Sequence, residues 1–395
     1  MHNPEIFFDY HEKSMGNDYH KLEYDIQTEY YIGIKKAFEF LEEQVKKGVI
    51  KNYGISSNTL QISSNKFDFT SLERLIDIAN EVSSKNHFKY IQFPFNIFET
   101  DAFFEKNQRK NTKTLIETAA KNNLIVLTNR PLNAITNKGL IRLVEYYSGK
   151  FSELEFQEYL NKALALEKFI NELGNRYILG LPNKKKNISN LLNLIEKIKE
   201  NWKKFSSIEH LNHIIEYYFI SKIVQVLNYF NVSVSTMDLS ENSVITEEKI
   251  LSYNTYNPAP QNIEQSQEQL YFKLNLKKYL KEIDILLNYL IEHFKIETRK
   301  RNNLINKTII DCFEKSKCKL YPKGSDFRNL TLSQKAIQIM RAVPGVSYVL
   351  VGAKREDYVD DIIELLNYGN ISNIDKLLES LREEFIKDNF IGKGK

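Results

Sequence analysis

The side chains suited to chemistry fall in five short polar segments. They are His2 in His2-Asn3-Pro4-Glu5, Ser56 and Ser57 in Gly54-Ile55-Ser56-Ser57-Asn58, and Gln92 in Gln92-Phe93-Pro94-Phe95-Asn96. Asn129 precedes Arg130-Pro131-Leu132, and Lys354 and Arg355 follow Gly352-Ala353. Most of these segments sit at or just past a short apolar, β-prone run. In a parallel barrel the residues just past the strand C-termini converge on one mouth, so Ser56, Ser57, Gln92, Asn129 and Lys354 would share a site. For Ser57 and Asn58, capping of the next helix explains the residue type equally well. Gln92 is different, because an amide inside the apolar run YIQFPF needs partners.

The elements that must position these residues alternate regularly at the start of the chain. Residues 34–47 place Ala37, Leu41 and Val45 on one face ahead of Gly48, which predicts an amphipathic helix with a stop signal. Short strands are predicted at 49–55, 90–95 and 124–128, with helices at 72–82 and 114–121 between them. Strands and helices at this interval imply βαβ units and a parallel sheet. The alternation resumes with a helix at 332–343, a turn at Pro344-Gly345, a strand at 346–353 and helices at 358–366 and 373–388.

Between about residues 136 and 325 strand signals are sparse. Leu211, Ile215, Tyr218, Phe219, Ile223, Val226 and Phe230 form one helical stripe, and Leu276, Leu280, Ile283, Leu287, Leu290 and Phe294 form another. Spacings of three and four are those of helices that pack on one another, so this region reads as a helical insertion. The expected division is 1–135 and 326–370 in one α/β architecture, 136–325 as the insertion, and 371–395 as a terminal helix and tail.

The strand-end segments, in their order, resemble the aldo-keto reductase superfamily. His2-Asn3-Pro4-Glu5 is similar to the end of that family's fourth strand, Gly54 to Asn58 to the fifth, Gln92 to Asn96 to the sixth, Pro131-Leu132 to the step after the seventh, and Gly352 to Arg355 to the eighth. The resemblance covers roughly residues 1–135 and 328–370. It implies an incomplete TIM-type (β/α)8 barrel, about strands 4–8, and an NADPH-dependent oxidoreductase acting on small aldehydes or ketones. It assigns His2 to orienting the carbonyl. Ser56, Ser57, Gln92, Asn129, Pro131, Leu132, Gly352, Lys354, Arg355 and Asp361 are assigned to NADP, Gln92 toward the nicotinamide carboxamide and the two cations toward the 2′-phosphate.

The family's aspartate, tyrosine and lysine have no counterpart in this sequence, so no turnover is expected from the chain by itself. The sequence departs from the family at Asn129-Arg130, where the family often stacks an aromatic ring, and at Asp361-Ile362, where it often has Glu-Asn. Lys354 and Arg355 also read as solvated charge opening a helix. A second reading is a non-catalytic remnant that binds a protein partner through 136–325.

The remaining features exclude more than they assign. With 42% apolar residues the chain can bury a substantial core, and a net charge of +4 gives no reason to expect nucleic acid or an anionic membrane as partner. Cys312 and Cys318 match neither a zinc knuckle nor a redox pair, and His210 and His213 lack a carboxylate to complete a metal site, so no metal is expected. No P-loop, GxGxxG or GxSxG appears. No long apolar run or signal sequence is present, which predicts a soluble cytoplasmic protein.

Overall fold

The computed structural model describes residues 1–15, 22–145, 149–179, 193–205, 207–229, 232–234, 243–253, 267–321, 326–353 and 355–392. The chain divides into two compact units, Met1–Glu145 with Asn302–Lys395, and Tyr146–Arg301. Residues 136–145 and 302–325, assigned above to the insertion, belong to the first unit.

The first unit is α/β with a parallel sheet. Its strands are β1 (Tyr53–Ser56), β2 (Phe88–Pro94), β3 (Ile125–Asn129) and, far along the chain, β6 (Tyr348–Val349), in the order β1-β2-β3-β6 and all parallel. The strand expected over 346–353 is thus only two residues long, although Leu350 N–H still donates to Thr128 O at 2.7 Å. Strands β4 (Asn133–Thr136) and β5 (Gly139–Arg142) form an antiparallel hairpin directly after β3, where no strand was expected. Thr136 caps its turn by donating to Gly139 O at 2.8 Å.

Helices with clear sequence boundaries join the parallel strands, as a crossover connection requires. Helix Glu23–Lys46 stops at Gly48, whose φ of +73° is open to glycine at no steric cost. Ser71 caps helix Leu72–Val82, while Thr114 with Glu117 and Thr331 with Gln334 build reciprocal capping boxes on helices Leu115–Lys121 and Leu332–Arg341.

Register makes the two faces of the sheet unequal. Ile55, Ile91 and Val126 lie in one row, Phe93 and Thr128 in another, and all are buried. The opposite face carries Tyr90, Gln92, Ile125, Leu127 and Asn129, each partly exposed, Tyr348 at 60% exposure, and the buried Ser56 and Pro94. Parallel sheets are ordinarily covered on both faces, so this half-open face departs from that pattern.

The regular elements of the second unit are all helical among its described residues. Its helices are Glu153–Leu179, Leu194–Asn201, Ile208–Ile214, Ile220–Tyr229, Glu247–Leu251 and Gln267–Lys315 up to Arg301. The stripe from Leu211 onward, read as one helix, is interrupted by a π-turn at Ile215–Phe219. Its members are buried apart from the half-buried Tyr218, and Phe230 lies outside the described residues. Leu276, Leu280, Ile283, Leu287, Leu290 and Phe294 are all buried in the same core, around Phe156, Ile198 and Trp202. No helix among the described residues is long and apolar enough to cross a membrane.

Candidate functional site

The first polar segment lies beside β1. Asn3 N–H donates to Ser56 O at 2.8 Å and Ser56 N–H to Met1 O at 3.0 Å, so His2 forms an isolated parallel bridge with Ser56 and extends the sheet by one short pairing. Asn3, at a φ of +45°, then turns the chain into helix Ile6–Met15. That conformation is one asparagine tolerates better than most residues. Glu5 is buried behind the turn, and its Oε1 accepts from Asn58 N–H at 2.8 Å and from the Asn58 amide at 2.9 Å. Two segments separated by some fifty residues are therefore one hydrogen-bonded corner. His2 itself is exposed, and its ring has no hydrogen-bond partner among the described residues.

The parallel register sets Ser56, Gln92, Leu127 and Tyr348 in one row. Paired residues in a sheet point to the same face, so Gln92 and Ser56 stand side by side on the half-open one, with Asn129 on it two residues beyond Leu127. The Gln92 amide and the Ser56 hydroxyl have no hydrogen-bond partner among the described residues. Asn129 Oδ1 is buried and likewise unpartnered. An uncompensated buried amide oxygen costs about 1–3 kcal/mol, which a ligand donor would offset.

Gly54 holds this row together. The register slips between Tyr53 and Gly54, and a Cβ at Gly54 would lie 2.2 Å from Tyr90 O. Only glycine permits that approach of β1 to β2.

Asn129 is positioned by a polar lock that sequence reading passed over. Asn96 accepts from the N–H groups of Phe98 and Glu99 at 3.0 Å each and donates to Glu99 Oε2 at 2.7 Å and Arg130 O at 3.3 Å. Glu99 takes Arg130 Nη2 at 2.9 Å and the Ile135 N–H at 3.2 Å. Arg130, at a φ of +55°, is thereby fixed and charge-paired with Glu99. Pro131 is buried and Leu132 half-buried as the chain enters β4. The only sequence signal for the lock was Asn96 in its motif.

Other nominated residues are committed to internal contacts. Ser57 is 2% exposed. Its hydroxyl accepts from Thr59 N–H at 3.1 Å and leads through Thr59 and Thr70 to the Tyr30 phenol, whose ionisation burial pushes well above its usual range. The contact is a local turn and not the helix cap expected of Ser57, since the next helix, Leu72–Val82, is capped by Ser71.

Asp361 accepts from Ser333 Oγ at 2.7 Å and Thr331 Oγ1 at 3.2 Å, so its carboxylate serves the start of helix Leu332–Arg341. Arg355 pairs with Asp357 at 2.6 Å and lies 4.9 Å from the Tyr358 ring, all at the solvent surface. Hydrogen bonding within that pair raises the guanidinium's pKa and lowers the carboxyl's. Gly352 is exposed with open space around its Cα, and Lys354 lies outside the described residues.

Among the described residues no group of three His, Cys, Asp or Glu side chains is placed to hold a metal. His213 stacks on Tyr217 with ring centroids 4.4 Å apart. Comparison with protein-family models, with curated proteins and with solved structures finds no match to this chain.

Proposed function

We propose that the chain is the later part of an aldo-keto reductase-type (β/α)8 barrel, about strands 4–8, which binds NADPH at its strand ends and serves carbonyl reduction in the cytoplasm. The observation that carries this reading is the trio of unpartnered polar groups on one face toward the C-terminal ends of parallel strands, the hydroxyl of the buried Ser56, the half-exposed Gln92 amide and the buried Asn129 Oδ1. Two amides and a hydroxyl suit a carboxamide, which offers both a donor and an acceptor. NADPH supplies the hydride when bound.

This chain's part is to bind and orient. Gln92 and Asn129 hold the carboxamide, and Pro131 and Leu132 follow β3 at the rim. Lys354 takes the 2′-phosphate, because Arg355 and Asp361 are already engaged. The exposed imidazole of His2, bridged beside Ser56, orients a small carbonyl substrate. The family's proton-donating tyrosine has no counterpart here, so the chain by itself binds cofactor without turnover.

Isothermal titration with NADPH tests this. Saturable binding is expected, weakened about tenfold by Gln92→Ala, by Asn129→Ala and by Lys354→Ala, each the loss of a polar or charge-assisted contact worth about 1.4 kcal/mol. No binding, or binding indifferent to all three, refutes the reading.

The second reading is a non-catalytic protein-interaction module acting through 136–325. It is favoured by the separate hydrophobic core of Tyr146–Arg301 and by the exposed Leu270, Tyr271 and Leu274 on one of its helices. Absence of NADPH binding, together with a partner released by Leu270→Ser and Leu274→Ser, supports it.

A further inference from the structure

Helix Glu356–Ile363 is amphipathic, yet none of its residues is buried. Its contacts to the rest of the unit run through Asp361 and through Leu365 in the 3-10 turn Glu364–Asn367 that follows. At 100° per residue, the side opposite Leu365 carries Val359, Ile363 and Leu366, exposed by 40%, 53% and 76%. Positions i, i+4 and i+7 form the apolar row by which one helix seats on another.

Charge on this face says what would cover it. The stretch from Arg355 to Asn367 holds five carboxylates and one cation, within a chain of net charge +4. Three of the carboxylates are occupied: Asp357 by Arg355, Asp361 by Ser333 and Thr331, and Glu364 by the Gln334 amide at 2.9 Å. Glu356 and Asp360 have no hydrogen bond or ion pair among the described residues, and both lie along one edge of the apolar row. Both also line an open cleft with Ala353, Arg355 and Val359.

We infer that this face docks an amphipathic helix of a partner protein, one whose apolar row is bordered by lysine or arginine on the side that meets Glu356 and Asp360. Val359, Ile363 and Leu366 receive the apolar side chains, and Glu356 and Asp360 pair with the cations at the rim. Neither Gln92 nor Asn129 takes part, so the inference stands apart from the NADPH reading.

The test uses the full chain and three fluorescein-labelled 18-residue peptides, read by anisotropy at physiological salt. One carries leucines at i, i+4 and i+7 flanked by lysines, the second has glutamates in place of the lysines, and the third is the lysine peptide scrambled. Saturable binding of the lysine peptide is expected, about tenfold tighter than either control. Ile363→Asp should weaken it at least tenfold. The double substitution Glu356→Lys with Asp360→Lys should invert the preference between the lysine and glutamate peptides. All three positions are exposed, and an unchanged circular dichroism spectrum shows that the variants are folded.

The inference is overturned if the scrambled peptide binds as well as the ordered one, if the substitutions leave affinity unchanged, or if nothing binds. It is overturned equally if the chain forms dimers at micromolar concentration that Ile363→Asp dissociates, since the face then belongs to a second copy.

Discussion

Glu167 is a point of failure in the helical unit, where it is almost fully buried. Its Oε2 accepts from the Tyr279 hydroxyl at 2.6 Å and from Ile195 N–H at 2.7 Å, and its Oε1 accepts from Glu196 N–H at 3.0 Å. The carboxylate thereby closes the N-terminus of helix Leu194–Asn201 and ties it to helices Glu153–Leu179 and Gln267–Lys315. Glu167→Ala would orphan three donors, two of them in the core.

At about 1–3 kcal/mol for each buried unsatisfied group, and with incomplete additivity, the expected loss is about 3–5 kcal/mol. The assay is urea unfolding followed by tryptophan fluorescence. Trp202, buried in the same core, is the chain's single tryptophan and reports this unit alone. A shift below about 1 kcal/mol refutes the argument that this carboxylate organises the core.

Burial raises the Glu167 pKa above its ordinary value, despite the hydrogen bonds that pull it down. A raised folded-state pKa gives stability that is present below the unfolded value and lost as pH rises through the folded one. The wild-type Trp202 transition should therefore gain stability as pH falls from neutrality toward 5, and Glu167→Gln should flatten that gain.

Further expectations concern the sheet unit. Gly54→Ala should lower stability by about 1–3 kcal/mol, because the new Cβ meets the backbone of Tyr90 rather than a movable side chain, and calorimetry reads it. Glu42 is buried, which pushes its pKa up, but hydrogen bonds from His87 N–H and Nδ1 at 2.6 and 2.9 Å win and hold it below the usual range. That stability is present above the unfolded carboxyl pKa and lost as pH falls, so Glu42→Gln should narrow the difference in melting temperature between pH 6 and pH 3.5. Gln92→Ala should change stability by less than about 0.5 kcal/mol, since its half-exposed amide pairs with nothing, and a loss of 2 kcal/mol or more in urea would show a structural role instead.

Much of the architecture was legible in order along the chain. The run YIQFPF, the helix 72–82 and the capping pairs Thr114 with Glu117 and Thr331 with Gln334 are local signals, written within a few residues. Apolar spacing alone likewise announced the stripe from Leu276 to Phe294. The hairpin β4–β5 was missed because its runs are four residues each and only two of the eight positions are buried, which leaves a weak alternation. The strand expected over 346–353 shrank to Tyr348–Val349, at the edge of the sheet, where only its β3 side has a partner to pair with.

The site divides in the same way. Sequence determined which residue types end each strand, and so which side chains are available to chemistry. Tertiary structure decided which of them remain available. Ser57, Asp361 and Arg355 are consumed by neighbours at Thr59, Ser333 and Asp357, while Gln92, Ser56 and Asn129 keep unpaired groups on one face. The physical reason is range. Strand propensity, capping and helical periodicity act over two to eight residues. A hydrogen bond from Asn58 to Glu5, or a sheet row joining Ser56, Gln92 and Tyr348, exists only once distant segments have been packed side by side.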